Sequence, residues 1–141
     1  MPYQIEIQNT AGRRKVPQKK LKRIAAQILK SLGWKQAGLS VLLVSDRKIR
    51  VYNKRYLRHD RPTDVIAFGY GNGQGDLIIS LDTTARQAVE YGNSFFYELC
   101  FYLCHGILHL MGYDDHTAKE ARRMEKKQAA ILKKIGVRQS A

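Results

Sequence analysis

Near its start the chain alternates strictly. Tyr3, Ile5 and Ile7 are apolar, and Gln4, Glu6 and Gln8 between them are polar. A period of two predicts a strand with one buried face. After Pro17 the period changes. Leu21, Ile24, Ala25, Ile28, Leu29 and Leu32 share one helical stripe that Pro17 opens and Gly33 ends. Residues 39–44 form a short aliphatic run and read as a central strand. Asp46 is placed to cap a second helix, on which Ile49, Tyr52, Asn53 and Tyr56 recur at helical spacing. Strands are predicted over 64–70 and 76–81, joined by the turn Gly71-Asn72-Gly73-Gln74-Gly75. Asp82 or Thr83 caps a third helix that reaches about Tyr91, and Gly92 stops it. A fourth, strongly apolar helix covers about 94–111 and ends at Gly112. The last begins at Thr117, which forms a capping box with Glu120, and continues to Ile135 before Gly136.

The order β-α-β-α-β-β-α-α-α contains no repeat, low-complexity tract or dividing linker. It predicts one α+β domain, residues 1–141, with a small mixed four-stranded sheet carrying the helices. At 141 residues the chain has about one domain's length. Such a domain buries roughly two-thirds of its unfolded surface. The apolar content of 44% excludes a disordered tail. Cys100 and Cys104 are too few for a disulfide framework, and their spacing in an apolar stretch reads as two small core residues. The first residues lack a signal pattern, which predicts a cytoplasmic protein. Glu98, His105 and His109 interrupt the longest apolar run, so it reads as a core helix and not a membrane span.

Charge narrows the partners. Twenty-five Lys and Arg against 12 Asp and Glu give a net charge of +13, which favours a polyanion, nucleic acid being the commonest. The basic residues cluster around the first helix, around the second (Arg47, Lys48, Arg50, Lys54, Arg55, Arg58, Arg61) and along the last. On the last helix Glu120 and Glu125 are interspersed, as on a solvated face.

Three of the four histidines fall within twelve residues. His105 and His109, at about 100° per residue, lie about 40° apart on one helix face, one turn apart. Two imidazoles so placed can grip one metal ion, a zincin-like arrangement. Gly112 breaks the helix, and His116 can return towards the pair as a third ligand. Three nitrogens with an open fourth position suit catalytic zinc. The motif is HGILH, so Gly106 stands where HExxH peptidases carry their glutamate base, which disfavours a peptidase. Metal-activated water can still attack a phosphodiester. Glu98, about 20° off the same face, either orients a ligand histidine, holds an arginine, or is a partly exposed helix-end residue. Asp114 and Asp115 either accept hydrogen bonds from ligand histidines or are turn residues.

Asn53, Tyr56, Asp60 and PTDVIAF (62–68), Gly75-Asp76 with Ile79-Ser80, Arg86-Gln87-Ala88 with Gly92 and Ser94, and HGILHLMGYDDH (105–116) followed by Met124 and Glu125 together resemble the YbeY family of metal-dependent endoribonucleases. The resemblance extends over about 39–132. It implies one zinc per chain on His105, His109 and His116. It also implies cleavage of single-stranded RNA, maturation of the 3′ end of small-subunit ribosomal RNA, ribosome quality control, and the ribosome or its small subunit as partner. Two positions depart from the family pattern. Where the family reads Gly-Tyr-Asp-His, this chain reads Gly112-Tyr113-Asp114-Asp115-His116. Where an arginine follows the family tyrosine, this chain has Leu57 and then Arg58. The arginine's role, stabilising charge on the reacting phosphate, is carried onto Arg58, with Arg55 or loss of the role as alternatives.

The sequence thus points to a zinc-dependent endoribonuclease, with water or an RNA hydroxyl as nucleophile and the middle basic cluster guiding the RNA backbone. The alternative is a ribosome-assembly or RNA-binding factor whose zinc is structural or weakly active.

Overall fold

A computed structural model of the chain describes residues 2–57 and 65–139. The elements are β1 (Tyr3–Asn9), α1 (Gln18–Ser31), β2 (Ala37–Val44), α2 (Asp46–Tyr52) continued by a π-helical turn (Asn53–Leu57), β3 (Val65–Gly71), β4 (Gln74–Ser80), α3 (Leu81–Tyr91), α4 (Phe95–Leu110) and α5 (Ala118–Lys134). The sheet order is β1-β2-β4-β3. β1 and β4 pair parallel with β2, and β3 pairs antiparallel with β4. This is the mixed four-stranded α+β domain that the periodicity predicts. Arg58, Asp60, Arg61 and Pro62-Thr63-Asp64 lie outside the described residues.

The strand alternation sorts side chains between two cores. Ile5, Leu39, Val41, Leu43, Leu77 and Ile79 point to one face of the sheet and pack with α1, α4 and α5. Val44, Ile66 and Ile78 point to the other and pack with Ile49 of α2. On that second face, β1 presents Gln4, Glu6 and Gln8 to solvent. Helix α4 is the centrepiece: Leu99, Leu103, Ile107 and Leu108 are fully buried. Cys100 and Cys104 are buried beside them, and burial pushes both thiols up to about 12. They are free cysteines of the core, as their spacing predicts. Between β3 and β4, Asn72 and Gly73 both adopt positive φ (53° and 75°), the left-handed pair that a two-residue hairpin turn requires.

Two helix starts differ from expectation. Ser45, not Asp46, caps α2 by accepting from Lys48 N at 3.2 Å. Ser80, not Asp82 or Thr83, caps α3 by accepting from Thr83 N at 3.2 Å. A hydroxyl already precedes each helix, which frees the carboxylates for tertiary work. Asp46 Oδ1 accepts from Ser80 Oγ at 2.6 Å and Thr83 Oγ1 at 2.7 Å, and Arg86 pairs with its other oxygen. Asp82 accepts from Asp46 N at 2.8 Å and Arg14 Nε at 3.1 Å. The network ties α2 to α3 and to the loop after β1. The capping box of α5 forms as its sequence predicts, with Glu120 N donating to Thr117 Oγ1 at 3.0 Å.

Partial burial alone would raise the Asp46 carboxyl. Hydrogen bonds from Ser80, Thr83 and Arg86, with the Arg86 charge, outweigh it and hold the group below its ordinary value. The stability it contributes is therefore present above its unfolded pKa and is lost as pH falls through the lower folded value. Asp46→Asn is expected to cost about 1–2 kcal/mol near neutral pH. Urea melts check this: the gap between wild type and variant should narrow below about pH 4.

Candidate metal centre

The centre begins with a glycine. Gly106 lies on the side of α4 that meets the sheet, where a Cβ would stand 2.7 Å from Leu77 Cδ2 and 3.2 Å from Val65 Cγ2. Leu77 is fully buried and has no room to yield. The helix therefore rests its backbone on β4 and β3. The position that carries a glutamate in HExxH peptidases faces the strands here, so Gly106 is a packing requirement. His105 and His109 flank it on the more open side, with side chains 19% and 27% exposed.

The two imidazoles meet edge to face, with Nε2 of each 3.0 Å from the other. The orientation of His105 is set from α5. Its Nδ1 lies 3.0 Å from Gln128 Oε1, and Gln128 Nε2 donates to Phe101 O at 3.1 Å. The amide of Gln128 thus presents its oxygen to the ring. Nδ1 is then the protonated nitrogen that donates, and Nε2 keeps a lone pair for a metal. Gln128 is completely buried.

The third donor is Asp115. Its Oδ2 lies 3.4 Å from His105 Nε2 and 3.6 Å from His109 Nε2. Among the described residues, His105, His109 and Asp115 form the group whose donor atoms converge. Tetrahedral zinc, with bonds of about 2.0–2.2 Å, holds its donors about 3.3 Å apart. The separations of 3.0, 3.4 and 3.6 Å bracket that value. Two imidazoles and a carboxylate are also a donor set that zinc accepts, with a position left over.

His116 is placed differently from the sequence expectation. Its side chain is 81% exposed and pairs with Asp114 at 3.5 Å. It is not brought into the converging group. The chain leaves α4 through Gly112 (φ 98°), and the turn that follows carries Asp115 back to the histidines. Glu98 is buried, 3% exposed, and accepts from Asn93 Nδ2 at 2.7 Å. It is thus neither a surface residue nor, in this contact, an orienter of a ligand histidine. Arg58 lies outside the described residues, and Arg55 is exposed on the π-helical turn. Sequence reasoning missed Gln128. The available signal was an amide at a helical step between the buried Met124 and Leu132.

A small α+β domain with a histidine pair on its core helix and a carboxylate returned by the turn that follows defines a class of candidate metal-binding proteins. The sequence profile described as Endoribonuclease YbeY matches residues 6–136. Proteins named Endoribonuclease YbeY from Geobacter metallireducens and Geobacter sulfurreducens are 43% and 42% identical to this chain. Those alignments cover 94% and 91% of this chain and 98% and 93% of the relatives. The solution structure of TM1509 from Thermotoga maritima superposes with a TM-score of 0.69 at 30% identity, covering 93% of this chain and 88% of that one. The chain belongs to the endoribonuclease YbeY family. Among the described residues, no helix is long and apolar enough to cross a membrane.

Two outcomes follow from this geometry. Gln128→Leu keeps the buried volume and removes the oxygen that orients His105. It should weaken metal affinity 10- to 100-fold. Because His105 Nδ1–H and Phe101 O lose their buried partner, it should also cost the metal-free protein about 1–3 kcal/mol. Competition with a chromophoric chelator and calorimetry measure the two. Gly106→Val should likewise destabilise the metal-free protein by about 1–3 kcal/mol, measured by urea unfolding, because the helix must lift from β4.

Proposed function

We propose that this chain is a zinc-dependent endoribonuclease that cleaves single-stranded RNA, with its metal held by His105, His109 and Asp115. The observation that carries the reading is the convergence of three donor atoms, 3.0–3.6 Å apart, on the exposed side of the core helix. The family name of the relatives supports RNA as the substrate. Zinc in such a set supplies a Lewis acid for the phosphoryl oxygen and lowers the pKa of water.

The chain's own residues divide the remaining work. Gln128 fixes the ring of His105, and Asp115 adds negative charge that offsets the cation. Arg47, Lys48, Arg50, Lys54 and Arg55 are exposed along α2 and the π-helical turn. The chain leaving that turn re-enters as β3 at Val65, directly against Gly106. This stretch binds the RNA backbone electrostatically and delivers it to the metal. Arg58, next in sequence, is proposed to stabilise charge on the reacting phosphate. Following the family, we assign the activity to maturation of the 3′ end of small-subunit ribosomal RNA and to ribosome quality control, with the ribosome as partner, in the cytoplasm. The two free, buried cysteines suit that compartment.

The test uses metal-stripped protein, restored zinc and labelled single-stranded RNA. Wild type should cleave. Asp115→Ala should lose on the order of a hundredfold or more, since even groups that only support a ligand cost 10- to 100-fold. His116→Ala should stay within about threefold. A protein that binds RNA with salt-sensitive affinity yet never cleaves it, with any divalent metal, would instead be the assembly or RNA-binding factor.

A further inference from the structure

Beside the donor group lies a cleft of about 570 Å³ between α3, α4 and α5, and His105 and Asp115 form part of its wall. The volume is in the range of small-molecule sites, roughly 300–1,000 Å³. Two features of its lining specify an occupant. The first is aromatic surface. Tyr97, Phe101 and Tyr102 line it from α4, and Tyr91 stands at its edge on α3, 63% exposed. The second is a set of hydrogen-bond acceptors. Gln87 Oε1 is buried on the wall and has no hydrogen-bond partner among the described residues. The buried Glu98 carboxylate lines the same cleft, with one oxygen engaged by Asn93.

Each feature excludes candidates. Glu98 and Glu125 on the lining repel a phosphate from the interior. Tyr97 and Tyr102 are buried, so Phe101 and the exposed Tyr91 are the rings that a planar group can meet. A buried acceptor with no donor is rare in a folded protein and calls for one from a ligand. We infer that this cleft holds one nucleobase of the RNA, that of a nucleotide adjoining the scissile phosphate, and selects bases bearing an amino group over uracil. The inference rests on the endoribonuclease reading for the placement of the phosphate at His105 and Asp115. Tyr91 offers a stacking surface at the mouth, of the kind that serves single-stranded nucleic acid. A rotation of the Gln87 side chain brings its occluded Oε1 to the cleft, where it and Glu98 accept from the exocyclic amine of adenine or cytosine, or from the N1–H and amine of guanine. Uracil has a single N–H between two carbonyl oxygens, and those oxygens would face the acceptors. Gln87 is thus a specificity-determining residue, and the metal donors do the chemistry elsewhere.

The experiment maps every cut made by the zinc-loaded protein in a randomised single-stranded RNA pool. Wild type should disfavour uracil at one position adjoining the cut by about three- to tenfold, the worth of one neutral hydrogen bond. Gln87→Leu should flatten that position while binding one zinc per chain as before. Tyr91→Ala, at an exposed site, should raise KM about fivefold or more. Cleavage without bias at any adjoining position, or a bias that Gln87→Leu leaves intact, would overturn the inference and leave the endoribonuclease reading standing. If no RNA is cut, that reading fails by itself. A titration with adenosine, cytidine and uridine, followed by the amide resonances of α3 and α4, then decides the cleft. Tighter binding of adenosine and cytidine than of uridine, lost in Gln87→Leu, supports a base site; absence of binding rejects it.

Discussion

Everything at the candidate centre depends on how closely α4 approaches the sheet. Gly106 lets the helix backbone rest on Leu77 and Val65, with no side chain between. That contact sets the rotation of α4 about its own axis. With Gly106 against the strands, Leu103 and Ile107 are buried, while His105 and His109 turn towards α5 and solvent. A larger residue at 106 would lift the helix and move both imidazoles. The absent glutamate of the peptidase motif and the position of the metal donors therefore share one packing cause.

From there the centre is assembled by long-range contacts. The capping box fixes where α5 begins, and α5 carries Gln128 into the core at the height of His105. A buried amide costs stability unless both its ends are bonded. Gln128 meets that condition by accepting at one end and donating to Phe101 O at the other. The same bonds determine which nitrogen of His105 is available. The orientation of a candidate ligand and the satisfaction of a buried amide are thus met by one side chain.

Much of this was legible in sequence. β1 alternates because its second face is wet, so it could be read from periodicity, and β2 could be read as a central strand from its aliphatic run. The His105/His109 pair was legible because residues four apart share a helix face whatever surrounds them. The third donor was not. Gly112 to Thr117 has no periodicity, and one residue decides whether a carboxylate or an imidazole returns to the pair. Counted from Gly112, Asp115 holds the place where the family pattern has histidine, and His116 falls one step beyond, exposed beside Asp114. Gln128 carried no reading from sequence, since only the packing of α5 on α4 reveals its burial. The two aspartates taken as caps were displaced because Ser45 and Ser80 satisfied the helix ends first.

The central claim concerns which three side chains meet the metal. Crystals of the zinc-loaded protein, with data collected on either side of the zinc absorption edge, test it most directly. The account predicts one anomalous peak within bonding distance of His105 Nε2, His109 Nε2 and an Asp115 carboxylate oxygen, with His116 in solvent. A peak coordinated by His116 with Asp115 turned away, or no peak at the paired histidines, would contradict it.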